Sequence, residues 1–170
     1  VYYKVEDEVI GNATILVRKS HCRSWGVTEE ELFCQARENT QKILPAKFVE
    51  IGELLKECGY ETEKETRMYV LTNAENYFGA SAMIFDSILS KIGEFLKDDF
   101  WILPSSIHEC IIVPLDCAMG AENMRELVWE VNQTEVAPQD YLSDDIYYYQ
   151  CILHRLTCVE MYEEKEGSES

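Results

Sequence analysis

Basic side chains are scarce in this chain. Fifteen Lys and Arg stand against 32 Asp and Glu, a formal net charge of −17 and a pI near 4.5. That balance excludes binding a phosphate backbone by broad charge neutralisation, and docking on an anionic membrane surface. It leaves a basic protein partner, a metal ion or a small molecule. Long apolar runs are also missing, and none approaches the ~18–20 residues of a membrane span. No CxxC pair occurs among the cysteines, which removes the usual support for zinc-ribbon and thioredoxin readings. The chain opens at Val1 in strand-like sequence, without an initiator Met or a basic-then-apolar signal region, and reads as a fragment or a processed product.

What is present suffices for a packed core. With 170 residues, 46% of them hydrophobic and 28% charged, wholesale disorder is excluded. One α+β domain is expected over residues 1–162, followed by an acidic, frayed tail over 163–170. The seven cysteines (22, 34, 58, 110, 117, 151 and 158) are odd in number, and several fall in apolar periodic segments. There a free Cys behaves as a small hydrophobe, so reduced thiols in a cytoplasmic protein are expected.

Periodicity sets out the elements. Val1–Val5 and Asn12–Arg18 alternate like a β-hairpin, with Gly11-Asn12 in its turn. Thr28 followed by Glu31 is a capping box that starts a helix with Leu32, Phe33, Ala36, Ile43 and Leu44 on its apolar face. A second helix is predicted from Phe48, Ile51, Leu54, Leu55 and Cys58, stopped by Gly59. Arg67–Thr72 reads as a strand. Tyr77–Phe85 also reads as a strand, because Gly79 would cost about 1 kcal/mol inside a helix. Ile88, Leu89, Ile92, Phe95 and Leu96 form a third helical stripe. Phe100–Leu103 and Glu109–Val113 read as paired strands. Met124, Leu127, Val128 and Val131 mark a fourth helix, and Ile146–Cys158 one last strand or two. Paired strands between helices predict an antiparallel or mixed sheet with about four helices packed on it.

Chemistry-bearing residues concentrate in Leu103-Pro104-Ser105-Ser106-Ile107-His108-Glu109. Two hydroxyls, an imidazole and a carboxylate in one turn could supply a nucleophile, a base and an orienting acid, so Ser105, Ser106, His108 and Glu109 are catalytic candidates. The competing reading is a structural turn whose serines satisfy backbone groups, and it is favoured because triads are usually assembled from distant segments. His21-Cys22, His108-Glu109-Cys110 and His154 with Cys158 lack zinc-motif spacing, so no metal and no cofactor is expected. His154 and Cys158 would align only on a helix, in a segment that reads as strand. Phosphate-binding Gly loops, a G-x-S-x-G elbow and H-E-x-x-H are all absent. In Tyr147-Tyr148-Tyr149 the rings must alternate faces on a strand, which points to a binding surface.

Met68–Asn73, Gly79-Ala80, Leu103–Glu109, Val113-Pro114, Val128, Val131-Asn132 with Thr134, Val136–Pro138, Leu142–Asp144, Tyr147 and Tyr149 together resemble an uncharacterised bacterial family, a domain of unknown function common in anaerobic gut Firmicutes. Gly11–Thr14, His21, Trp25–Val27 and Glu38–Thr40 extend the similarity over nearly the whole chain. The resemblance implies a cytoplasmic bacterial protein of one domain and brings no activity or catalytic residues. Tyr147, Tyr149 and Asn132 are the binding candidates. The leading expectation is a soluble, non-enzymatic binding or interaction domain, with a protein or small-ligand partner rather than nucleic acid or membrane. The alternatives are a hydrolase-like enzyme using Ser105–Glu109, and an acidic nucleic-acid mimic that inhibits a basic protein.

Overall fold

The computed structural model describes residues 2–7, 11–57, 59, 67–104, 106–117, 120–134 and 136–159. Two compact units divide the chain, residues 1–45 and 46–170. The tail expected over 163–170 and the acidic stretch 61–65 lie outside the described residues.

The first unit begins with the antiparallel hairpin of β1 (Tyr2–Asp7) and β2 (Gly11–Leu16). A short helix, α1 (Lys19–Trp25), follows and ends at Gly26, whose φ of 69° allows the left-handed cap. The sequence carried no periodic signal for it. Helix α2 (Glu29–Ile43) starts where the capping box predicts: Thr28 Oγ1 accepts from the Glu31 N–H at 3.1 Å, and the Glu31 carboxylate accepts from the Thr28 N–H at 2.8 Å.

The second unit is built on a six-stranded sheet. Its strands are β3 (Ala46–Glu50), β4 (Tyr69–Asn73), β5 (Phe100–Leu103), β6 (Cys110–Pro114), β7 (Tyr147–Gln150) and β8 (Arg155–Cys158). They lie in the order β3-β4-β6-β5-β7-β8, and every adjacent pair is antiparallel. The α+β class with an antiparallel sheet is therefore the observed one. Helices α3 (Ile51–Glu57), α4 (Asp86–Leu96) and α5 (Ala121–Thr134) belong to the same unit.

Both faces of the sheet are covered. Register sets Leu71 opposite Cys110, and Ile112 opposite Ile102, on one face. These residues pack with Phe100 and Tyr149 against Leu89, Ile92 and Leu96 of α4 and against Ala80, Ala82 and Met83. The alternate residues Leu103 and Val113 pack on the other face with Met124 and Val128 of α5, joined by half-buried Trp101 and Tyr148. Strands buried on both sides read as near-continuous apolar runs, which is how FWIL and CIIVP appear in the sequence.

Three expectations need correction. Gly11 and Asn12, expected in the hairpin turn, are strand residues of β2 that pair with Asp7 and Glu6. The helix drawn through Phe48 and Ile51 is a strand followed by a helix, since Phe48 pairs with Leu71 in β4 and α3 begins only at Ile51. A stacked contact with Tyr69 and an edge contact with Phe95 fix the Phe48 ring. The strand expected over Tyr77–Phe85 is instead a 3-10 helix, Gly79–Ile84. Gly79 is there for space: a Cβ would lie 2.1 Å from Thr72 Oγ1 and 2.5 Å from the His108 carbonyl oxygen.

Candidate functional site

The turn between β5 and β6 is held by its neighbours on all sides. The Phe78 N–H donates to His108 Nδ1 at 3.2 Å, so that nitrogen is an acceptor and the ring proton sits on Nε2. Nε2 in turn faces Asp140 Oδ1 at 3.2 Å. Thr72 Oγ1 donates to the His108 carbonyl at 2.8 Å, and the His108 N–H donates to Ser106 Oγ at 3.0 Å. Ile107 closes the arrangement, donating to the Asp140 carbonyl and accepting from the Ala80 N–H. The His108 ring stacks on Tyr77, with centroids 5.1 Å apart.

Asn73 shapes the facing loop. Its side-chain oxygen accepts from the N–H groups of Glu75 and Tyr77, and its amide donates to the Tyr77 carbonyl at 2.7 Å. This permits left-handed φ values at Asn76 (52°) and Phe78 (53°), the latter a strained conformation for a bulky residue. Both His108 nitrogens are thus committed, one to a backbone N–H and one to a carboxylate. Ser106 serves main chain, and Glu109 is exposed. Ser105 lies outside the described residues.

The binding candidates are placed apart. Asn132 is buried on α5 and donates to the Ser143 carbonyl and Asp144 Oδ1, tying the helix to the approach to β7. Tyr147 and Tyr148 are half-buried on opposite faces, each against a core, and the Tyr149 ring is buried.

A second polar group forms where α4 meets the β7–β8 turn. Asp86 and Ser90 are one helical turn apart and share a face of α4. The Tyr149 hydroxyl reaches them from β7, donating to Asp86 Oδ1 at 2.6 Å and lying 3.2 Å from Ser90 Oγ. Across the turn, His154 Nδ1 stands 2.9 Å from Ser90 Oγ, 3.3 Å from Tyr149 Oη and 3.7 Å from Asp86 Oδ2. Burial and the bond to Asp86 push the Tyr149 hydroxyl up to about 12.

The turn itself is anchored at its base. The Cys151 N–H donates to Asp99 Oδ1 at 2.8 Å and its thiol to the Asp98 carbonyl at 3.1 Å, while burial and Asp99 push that thiol up to about 11. Arg155 closes the hairpin with two bonds to Gln150 Oε1. Gly93 lets α4 approach, since a Cβ there would lie 2.4 Å from Cys151 Sγ. Ile152 and Leu153 project from this fixed turn, 92% and 58% exposed.

Sequence reasoning had Tyr149 among its candidates but not Asp86, Ser90 or His154. The available signal was the Asp86–Ser90 spacing on a helical stripe. It considered His154 only with Cys158, which lies four strand residues further on, roughly 13 Å at full extension. Among the described residues, no three His, Cys, Asp or Glu side chains are grouped so as to hold a metal ion.

The Ser90–His154 distance suits a nucleophile and base. Asp86, however, approaches the same ring nitrogen as Ser90, whereas an orienting carboxylate belongs on the opposite one. The arrangement therefore works best as a clasp between helix and turn.

Among the described residues no helix is long and apolar enough to cross a membrane. No curated protein and no solved structure matches the chain. The family model of DUF5688, a family of unknown function, matches residues 1–151 and so stops before Ile152, Leu153 and His154. With nearly nine-tenths of its length matched, the chain belongs to the DUF5688 family.

Proposed function

We propose that the chain is a non-enzymatic binding module that presents the 151–154 turn to a partner protein. The observation that carries this reading is a rigidly held turn with two aliphatic side chains in solvent, Ile152 and Leu153. Burying each in a partner's pocket contributes roughly 1.5–3 kcal/mol. Because His154, Cys151 and Arg155 already fix the backbone, little ordering entropy opposes binding. Residues 46–170 carry 25 acidic and nine basic side chains, a net −16, so the complementary partner has a basic rim around an apolar pocket.

The test is a pull-down from the native host with quantitative mass spectrometry. Basic proteins captured by the parent should be lost with Ile152→Ser/Leu153→Ser and reduced with Ser90→Ala. Equal recovery by parent and double variant refutes the proposal. A second reading rests on the 2.9 Å Ser90–His154 contact: Ser90 Oγ bonds to an ester's acyl carbon as the acyl–oxygen bond breaks, and His154 takes the serine proton and passes it to the departing alcohol. Covalent labelling of Ser90 by a fluorophosphonate, abolished by His154→Ala, would put that reading first.

A further inference from the structure

The first unit has apolar side chains that it does not bury. Among its side chains with described burial, Cys22 alone is buried, while Leu16, Trp25, Phe33 and Ile43 are exposed. None of the 15 residues of α2 is buried. At 100° per residue, Leu32, Phe33, Ala36, Thr40 and Ile43 fall within a stripe about 100° wide. A unit of this size with so little inside it needs a cover for that stripe.

The charges along α2 indicate which cover fits. Glu29, Glu30 and Glu31 occupy the first turn, where Glu29 pairs with Lys19, and the second half carries Arg37, Glu38 and Lys42, a net +1 with Glu38 and Lys42 paired at 3.6 Å. Ala36 is the midpoint of Glu29–Ile43, and it is the smallest side chain on the stripe. Two copies of α2 crossing antiparallel about a two-fold axis at Ala36 bring the acidic first turn of each beside the net-positive second half of the other. Their helix dipoles then also oppose, and a small residue at the crossing lets the axes approach. Residues 1–45 hold seven acidic and six basic side chains, a net −1, against −16 for the remainder. Association through the first unit therefore joins nearly neutral surfaces, while contact through the second would oppose like charges.

We propose that α2 is a self-association surface whose occupant is α2 of a second copy of this chain. The proposal is independent of the 151–154 turn. Analytical ultracentrifugation of the full chain at tens of micromolar should show a dimer. Phe33→Glu/Ile43→Glu should raise the dissociation constant at least about a hundredfold, leaving a monomer with unchanged helical circular dichroism. Trp129→Glu, at an exposed position on α5, should leave the dimer intact. Should the double variant lose helix, Glu30→Lys, exposed and outside the stripe, should still weaken the dimer several-fold. A short thiol cross-linker should trap covalent dimers of Ala36→Cys in a Cys34→Ser/Cys117→Ser background, and none in that background without Ala36→Cys. A parent that sediments as a monomer, or a dimer that survives both the Phe33→Glu/Ile43→Glu and the Glu30→Lys changes, overturns the proposal.

Discussion

Replacing Gly79 by alanine tests whether the knot around His108 is as tight as its distances indicate. The added methyl would sit 2.1 Å from Thr72 Oγ1, 2.5 Å from the His108 carbonyl oxygen and 2.7 Å from the Asn73 backbone nitrogen. Thr72 can rotate away, but only by giving up its 2.8 Å bond to the His108 carbonyl, a loss of about 1 kcal/mol. The other two neighbours are backbone and cannot rotate. Moving them disturbs the Phe78–His108 and Ala80–Ile107 bonds that join the two loops, an overpacking cost of about 1–3 kcal/mol. The sum, about 2–4 kcal/mol, lowers the melting temperature by roughly 5–15 °C. Where no clash exists, Gly→Ala stabilises by about 0.4–1 kcal/mol through the unfolded chain, so even the sign is informative. Urea unfolding followed by Trp fluorescence measures the change. Thr72→Ala in the Gly79→Ala background should recover only part of the loss, because the backbone contacts remain. Stability within about 0.5 kcal/mol of the parent would refute the packing argument.

Gly93→Ala is the contrasting case, because the atom it meets is the Cys151 thiol, a side chain. It should destabilise by about 1–2 kcal/mol alone and much less in a Cys151→Ala background; additive effects would show that α4 and the turn do not meet there. His108→Ala leaves the Phe78 N–H and Asp140 without their partner and should cost about 1–3 kcal/mol, with a smaller effect for Ser106→Ala, both read from thermal melts. Tyr149 is held neutral in the fold, so it contributes stability below its unfolded value near 10 that is lost as pH rises towards about 12. Tyr149→Phe should flatten that alkaline loss, and an unchanged pH profile would count against the Asp86 bond. The six described cysteines are free thiols, and Cys58 lies outside the described residues. Denatured protein without reductant should titrate mostly as free thiol, and native protein should label exposed Cys34 first and Cys110 last. Burial pushes the Cys110 thiol up to about 12. Six of seven thiols blocked would contradict this.

The parts of the fold visible in sequence are those set by local periodicity. Helices α2, α4 and α5 and the pair β5–β6 stand where the sequence predicts them: α4 and α5 each bury a face whose spacing their own residues define, α2 starts at its own capping box, and β5 and β6 are short apolar runs. The spacing of Phe48 to Ile51, Leu54 and Leu55 satisfies a helical period, although Phe48 is a strand residue. What makes it strand is pairing with Leu71, 23 residues away, and a stack on Tyr69. Gly79 misled for a related reason. In a local window its missing side chain counts only as a backbone propensity of about 1 kcal/mol, whereas the decisive quantity is the room left by Thr72 and His108, which no local window contains.

The same distinction separates the two polar sites. The His108 turn is conspicuous in sequence because its hydroxyls, imidazole and carboxylate are neighbours in the chain, yet only the Ser106 bond to the His108 N–H is local, and the ring is committed to Phe78 and Asp140, 30 and 32 residues away. The Asp86–Ser90–Tyr149–His154 group joins residues up to 68 positions apart, and only the packing of α4 on β7, with Gly93 against Cys151, brings them together. A polar group assembled across a packed seam makes its geometry depend on tertiary structure. Loosening the α4–β7 seam should therefore release His154 and the 151–154 turn together, before the sheet itself opens. Hydrogen exchange in Gly93→Ala should show it as faster exchange at Cys151 and His154, with unchanged protection at Ile102 and Ile112, and uniform acceleration across all four amides would contradict the idea.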